Sequence, residues 1–554
     1  MNSDNQKIRA VEHREAELKR RSVRAHKRQV RREGITCQIK GHMGVARSLI
    51  AKHAPAHSQR RKKSQKPCRC SGKEFSGTSV VLLRTQSDVD TFGAEQYVIV
   101  NQSLLISSDQ VDPIVSLSPL STLCEVTGNL QFFQNNELIS LAGLENLRRV
   151  GGDLLFDGNE KLESIDQLSS LQTVGQDLDI FNNMALSEIS ALNCLEFVGD
   201  LLSIDGNNSL SNISGFNAAR KLCVLGDLDI RNNEKLISID GFNGLERIDG
   251  TLDISANALL ECIRGFERLE SVESLLIEQH PSLVNICAFH ALTCAIDEIF
   301  ISFNTSLQQV CAFQNLRQVE SLFFIENPVL AKLATFEHLR TLRDLQLQGQ
   351  SALPDLDAFA CLQDVRDDVI LLQNSALENI DGLINLRSVD DRIDIADNGL
   401  LTTLAGLSRL QESRQLGNEI SVTVNAALDD FCGLQALAAA DPNGDPQFSI
   451  SQNASNPTKE QIAQLSPCDA RQFFKRTLNR WLANKTLKKS VACSLAHCMS
   501  KKAVRKWACA KCLSFAQEKI LLGALDHCLF TDEDQLPPHG PPLQLDIACS
   551  AQQL

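Results

Sequence analysis

One spacing of apolar residues recurs fifteen times along this chain. Two clear copies read "GDLLFDGNEKLESIDQLSSLQTV" from Gly152 to Val174 and "GDLDIRNNEKLISIDGFNGLERI" from Gly226 to Ile248. The shared frame is L-x-I-x-x-N-x-x-L-x-x-I-x-x-F/L-x-x-L-x-x-V. Copies begin at Leu104, Leu130, Leu154, Leu178, Leu202, Leu228, Leu252, Leu275, Ile299, Leu322, Leu345, Val369, Ile393, Ile420 and Phe448, mostly 23 or 24 residues apart. A unit this short cannot bury its own apolar side, so it must stack on its neighbours. The period therefore predicts a mainly β solenoid of about fifteen rungs. Such a fold points to recognition over a long surface rather than chemistry in a pocket.

Within a copy, counting the first Leu as position 0, the inward columns are 0, +2, +5, +8, +11, +14, +17 and +20. The L-x-I pair at 0 and +2 fits a strand, and the spacings of three fit turns and short strands at the corners. Position +5 is Asn in twelve copies, from Asn135 to Asn453, with His280 and Gln350 as substitutes. A buried amide at a corner can serve backbone groups that the turn would orphan, so His280 reads as structural. Position +14 carries Phe216, Phe242, Phe266, Phe289, Phe313, Phe336 and Phe359 in succession. These are expected to stack along the core.

The repeat, with its phrases "VGGDLLF" and "LSPLSTLCEVTGNL", resembles the receptor L-domain family over about residues 79–467. That resemblance implies a right-handed leucine-rich β-helix. It extends to long bacterial or protist surface arrays and fungal GPI-anchored cell-wall proteins. It implies a ligand-binding or adhesive surface, with no kinase, furin-like module, anchor signal or membrane span visible in this chain.

Charge divides the chain into regions. Residues 1–78 hold 21 Lys and Arg against 6 Asp and Glu, and residues 468–554 hold 13 against 7. The part between holds 21 against 55. Such asymmetry points to a cationic partner for the acidic repeats, or to the chain's own basic arm in that role. The expected organisation is a basic, disordered arm at 1–78, an N-terminal cap at 79–103 and the solenoid at 104–467. A Cys-rich α-helical module at 468–530 and a disordered tail at 531–554 complete it. The cap reads as a strand at Ser79–Leu83 and a short helix capped by Ser87 and stopped by Gly93. "TKEQIAQLSPC" reads as a closing helix with Thr458 at its N-cap.

Candidate sites follow from the alternation of side chains across a strand, which turns positions −1, +1 and +3 outward. In the first half these are acidic: Asp153, Asp157, Asp177, Asp179, Asp205, Asp227, Asp229 and Asp253. They suit a cationic partner, paired-carboxylate calcium binding, or simply a solvated, aggregation-resistant face. Further along, the same columns become apolar at Leu276, Phe300, Phe323, Ile325, Ile370 and Leu372. That patch suits contact with another chain or cover by the chain's own C-terminal helices.

Nineteen cysteines are present, an odd number that leaves at least one outside any internal pairing. Cys287 and Cys311 share position +12 of adjacent copies and should be close enough to bond. The set Cys468, Cys493, Cys498, Cys509, Cys512 and Cys528 suits disulfides or free thiols, with zinc at Cys509-x-x-Cys512 as the alternative. No phosphate loop, HExxH, GxSxG or Cys/His constellation is visible, so no catalytic residue, cofactor or metal is expected. Six N-x-S/T sequons occur, and three of them, Asn207, Asn304 and Asn453, fall in the inward column.

The expectation is a non-enzymatic recognition or adhesion scaffold that binds a protein or glycan. One alternative is a nucleic-acid- or anionic-membrane-associated protein using the basic arm, which lacks interleaved aromatics. Another is a structural wall or matrix component. The family resemblance points to the cell surface, although no signal peptide, transmembrane span or anchor signal is visible in the sequence.

Overall fold

A computed structural model describes residues 70–217, 222–410, 419–440 and 447–468 of the chain. The Cys-rich module after Cys468, the tail and the arm up to residue 69 lie outside these described residues.

The L-x-I strands form a parallel sheet of sixteen strands, from Val81–Leu83 to Gln447–Ser451. Pairing is in register throughout: Leu178 sits beside Leu202, which sits beside Leu228 and then Leu252. Because the register never slips, every column of the sequence becomes a row of neighbours in space. The sixteenth strand is the cap strand, which pairs with Leu104–Ile106 as a further rung. The chain is thus a β-solenoid of about fifteen repeating rungs, as its period predicts.

Two further walls of short strands run beside the main sheet over part of its length. One is a run of seven two-residue strands from Glu188–Ile189 to Lys332–Leu333. The other has ten strands from Glu74–Phe75 to Cys294–Ala295, and three more at Thr341–Leu342, Asp364–Val365 and Ser388–Val389. The ten-stranded wall thus begins inside the stretch that reads as basic arm. Towards the C-terminus, beyond Lys332–Leu333, the seven-stranded wall is replaced by 3-10 turns at Asp357–Phe359, Asp381–Leu383, Ala405–Leu407 and Cys432–Leu434. There the rungs approach closely. A Cβ added at Gly406 would lie 1.9 Å from the Ile380 carbonyl oxygen, so only glycine fits.

Apart from the polar +5 column, the inward columns are apolar and buried over most rungs, and each large apolar side chain contributes about 1.5–3 kcal/mol by leaving water. The seven Phe rings at +14 form one continuous stack, with centroids 4.5–6.3 Å apart and near-parallel planes. Phe132 and Phe156 add a second stacked pair at +2, 4.8 Å apart.

The corner after the main strand is built by two adjacent positions. Position +4 takes a positive φ in every rung from Gln134 to Gln452, whether it is Gly158, Asn182 or even Phe303 and Val424. That left-handed step turns the next residue, the +5 Asn, into the interior. The Asn side chain then reaches back one rung. Asn159 Nδ2 donates to the Phe132 carbonyl at 3.1 Å, and its Oδ1 accepts the Asn135 amide at 3.1 Å. The same two bonds recur at Asn183, Asn207, Asn233, Asn374, Asn398 and Asn425.

The ends are closed separately. The N-terminal helix, Gln86–Ala94, is capped by Thr85 and not by Ser87. Thr85 and Asp88 make a reciprocal capping box, whereas Ser87 donates to Asp112. The helix also runs one residue past Gly93. At the other end Thr458 caps Lys459–Ala463 in a second box with Gln461, and Ile462 is buried there.

Candidate functional site

The outward face of the main sheet carries two rows whose neighbours are fixed by the register. The +1 row runs Asp179, Ser203, Asp229, Asp253, Leu276, Phe300, Phe323, Gln346, Ile370 and Asp394. The +3 row runs Asp157, Phe181, Asp205, Arg231, Ser255, Glu278, Ser302, Ile325, Gln348 and Leu372. The face therefore changes from acidic to apolar between the Leu252 and Leu275 rungs.

The acidic part is not uniformly solvated. Asp153, Asp157, Asp177, Asp179, Asp205 and Asp227 are half-buried. Burial raises the Asp157 carboxyl above its ordinary range, and Asp205 accepts a hydrogen bond from Asn232. Asp229 and Asp253 are 5% and 6% exposed, which corrects the expectation of a freely solvated column there. Arg231 accounts for the difference. Its guanidinium lies 2.5 Å from Asp229 Oδ2 and 3.6 Å from Asp253 Oδ2, and it is itself 8% exposed. A sequence scan for acidic columns passes over it, because one basic residue in the adjacent row offsets two like charges a rung apart.

The apolar part is centred on Phe300 and Phe323. Their rings meet edge to face at 5.7 Å, and both stay partly exposed, as do Ile325, Ile370 and Leu372. Leu276 is the exception at 6% exposure, packed between the Asp253 and Phe300 rungs. The patch is bordered by Glu278, Glu298 and Asp344.

Other candidate positions are structural. His280 is fully buried and continues the Asn ladder: its Nδ1 accepts the Asn257 amide at 3.3 Å and its Nε2 lies 3.0 Å from the Ile254 carbonyl. Desolvation lowers its pKa to about 4. Asn207, Asn304 and Asn453 are buried in the ladder, so their sequons are not accessible. Among the described residues, one group of three acids brings its carboxylates within 4.8 Å: Asp367, Asp368 and Asp391. Arg343 and Arg392 already pair with Asp367 and Asp368. None of the acidic residues singled out from the sequence belongs to that group.

Three disulfides staple the described chain. Cys287 and Cys311 are joined across adjacent rungs, with Cα atoms 4.9 Å apart. Cys70–Cys124 clamps the first rungs and Cys432–Cys468 the last. The last of these removes Cys468 from the C-terminal set that the sequence suggests. Neither end clamp is signalled by the repeat, because Cys70 and Cys468 lie outside it. Among the described residues, Cys194, Cys223, Cys262 and Cys361 are free thiols.

No helix among the described residues is long and apolar enough to cross a membrane. Compared with known proteins, the chain matches no family model, no curated protein and no solved structure.

Proposed function

We propose that this protein is a non-enzymatic recognition or adhesion scaffold that binds a protein or glycan partner over the outward face of its main sheet. The supporting observation is the Phe300–Phe323 ring pair, partly exposed on a rigid parallel sheet and continuous with acidic rows. Rings held by a sheet lose little freedom on binding and bury much area, as dominant contact residues do. The acidic rows would govern the association rate and its salt dependence, and they favour a cationic partner. The resemblance to receptor L-domains fits this reading, as does a surface or extracellular setting. Three disulfides, two of them clamping the ends, suit an oxidising compartment.

The test is retention of partners from native extracellular material on the immobilised full-length chain. Phe300→Ser with Phe323→Ser should abolish specific retention while the melting temperature stays within a few degrees of the parent. Unchanged retention by that variant removes the proposed face.

A further inference from the structure

We propose that two copies of this chain join edge to edge through their last main strand, Gln447–Ser451, paired antiparallel around a two-fold axis at Ser449. The dimer itself does not depend on the recognition reading; only its consequence for binding does.

This strand is the C-terminal edge of the sixteen-stranded sheet. Pairing along the sheet shows which of its backbone groups are left over. Residues at 0, +2 and +4 turn their N–H and C=O groups to the following rung. Leu345 N–H donates to the Asp368 carbonyl, Val424 N–H donates to the Ser451 carbonyl, and the Leu83 carbonyl accepts from Ser107 N–H. Residues at −1, +1 and +3 serve the preceding rung. In the last strand the outward groups therefore belong to Phe448 and Ile450, and they meet no partner among the described residues.

Side-chain burial agrees. At 0 and +2 every earlier main strand is closed, down to Ile420 and Val422 at 0% exposure. Phe448 and Ile450 alone in these two columns stay partly exposed. The closing helix Lys459–Ala463 packs on Cys432–Leu434 and Gln435–Ala440, away from the main strand. It reaches the strand's side through the Lys459 ammonium, 5.5 Å from the centre of the Phe448 ring. The strand itself carries no charge, proline or bulge, the usual devices against edge pairing.

The edge is also complementary to itself. Phe448 and Ile450 flank Ser449, so a two-fold axis there sets Phe448 of each copy opposite Ile450 of the other. Each such pair exchanges two backbone hydrogen bonds, about four in all. Both apolar pairs face the same side of the joined sheet, so the two cores become continuous. The N-terminal edge is a poorer mate. Val81 and Leu83 are already reduced to 9% and 4% exposure, so head-to-tail stacking closes one open edge where the two-fold closes two. The joined sheet presents both Phe300–Phe323 patches on one side. Five rungs separate Phe323 from the last strand, about 24 Å at ~4.8 Å per rung, which sets the two patches about 50 Å apart. A partner displayed in several copies would be held at two points, with the avidity that a fixed spacing allows.

Ser449→Cys in the full-length chain probes the axis directly. Position 449 meets itself there as a non-hydrogen-bonded pair, with Cα atoms about 4.5 Å apart, inside disulfide range. Oxidation at micromolar concentration should link two chains at position 449, as read by peptide mapping. Ser421→Cys lies one rung inside, and its two copies would be roughly 14 Å apart, so it should give no such link. No link at 449, or equal linking at 421, overturns the proposal.

Charge at two exposed positions gives a second reading without touching the core. The symmetry sets Gln447 of each copy opposite Ser451 of the other. The parent should sediment at micromolar concentration as a non-covalent pair, at twice 61.0 kDa. Gln447→Lys with Ser451→Lys places like charges opposite each other and should weaken association at least tenfold. Gln447→Lys with Ser451→Glu places opposite charges there and should restore it. A monomeric parent, or association indifferent to both variants, overturns the proposal. Dimerisation and recognition fail separately. Phe300→Ser with Phe323→Ser should still dimerise, and a parent dimer that retains no partner leaves the interface standing and removes the recognition reading.

Discussion

The two sides of the main strands obey different rules. Inward, each column repeats one residue type for up to a dozen rungs: Leu at 0, Ile at +2, Asn at +5, Phe at +14. Outward, the rows drift from Asp through Leu to Phe and then to Gln and Asp. The inward side is constrained by close packing and by the need to satisfy every buried polar group. The outward side is constrained only where something binds it or where charges collide. Repetition therefore marks stability, and departure from repetition marks the place to look for function.

The largest expected contrast lies between two kinds of Phe. Phe313→Ala, inside the ring stack, should cost about 3–5 kcal/mol by leaving a cavity that neighbouring rungs cannot close. Phe300→Ala with Phe323→Ala should change the solenoid's stability by less than about 1 kcal/mol. Chemical denaturation of the two variants side by side measures the difference. Equal losses would mean that the outward rings are core and that the two sides obey one rule.

A second test concerns the one place where the outward side is itself buried. Arg231→Met strands Asp229 and Asp253 without the guanidinium between them and should cost roughly 3–5 kcal/mol. Replacing all three by Leu, Met and Leu should restore most of that loss. If Arg231→Met is as mild as a surface change, the triad is solvated in solution and its burial is not structural.

His280 tests the ladder through pH. Its folded-state pKa is about 4, below the ordinary value near 6.5, so the unfolded chain binds the proton more tightly. The neutral ring's contribution is fully present above pH 6.5. It is lost progressively as the pH falls towards 4, by up to roughly 3 kcal/mol. His280→Asn, which restores the ladder residue, should flatten that dependence when melting temperatures at pH 7 and pH 5 are compared. An unchanged pH dependence would move the effect to the carboxylates.

The smallest effect is expected at the left-handed corner. Val424 has a φ of 59°, a conformation that costs a β-branched residue about 1–2 kcal/mol. Val424→Gly relieves this and should raise stability by about 0.5–1 kcal/mol after the loss of glycine's unfolded-state freedom. Destabilisation on thermal melting would show that the exposed Val424 side chain packs more usefully than its backbone strain suggests.

Much of the fold was legible because a solenoid with invariant register turns sequence period directly into spatial adjacency. The Asn column, the Phe stack, the buried role of His280 and the proximity of Cys287 to Cys311 all follow from counting. The left-handed corner had a signal too: Gly158, Asn182, Gly206, Asn232, Gly349 and Asp397 at +4 are residues that tolerate positive φ. It was obscured because Phe303 and Val424 occupy the same place.

What counting could not reach lies off the repeat or across it. Cys70–Cys124 and Cys432–Cys468 each join a repeat cysteine to one outside the period, so no column predicts them. The Thr85 cap depends on which of several hydroxyls near the helix start meets an amide, and only the backbone path decides that.

By itself, the sequence determined the inward half of this protein: which residues face the core, in what order they stack and that the walls are parallel. One-dimensional periodicity suffices there, because each rung meets only the next. Only the tertiary structure decided the outward half. It set which acids keep access to water, which are held by Arg231, and which rings stay partly exposed. Exposure depends on the reach and direction of side chains two rows apart, and no spacing along a single chain records that.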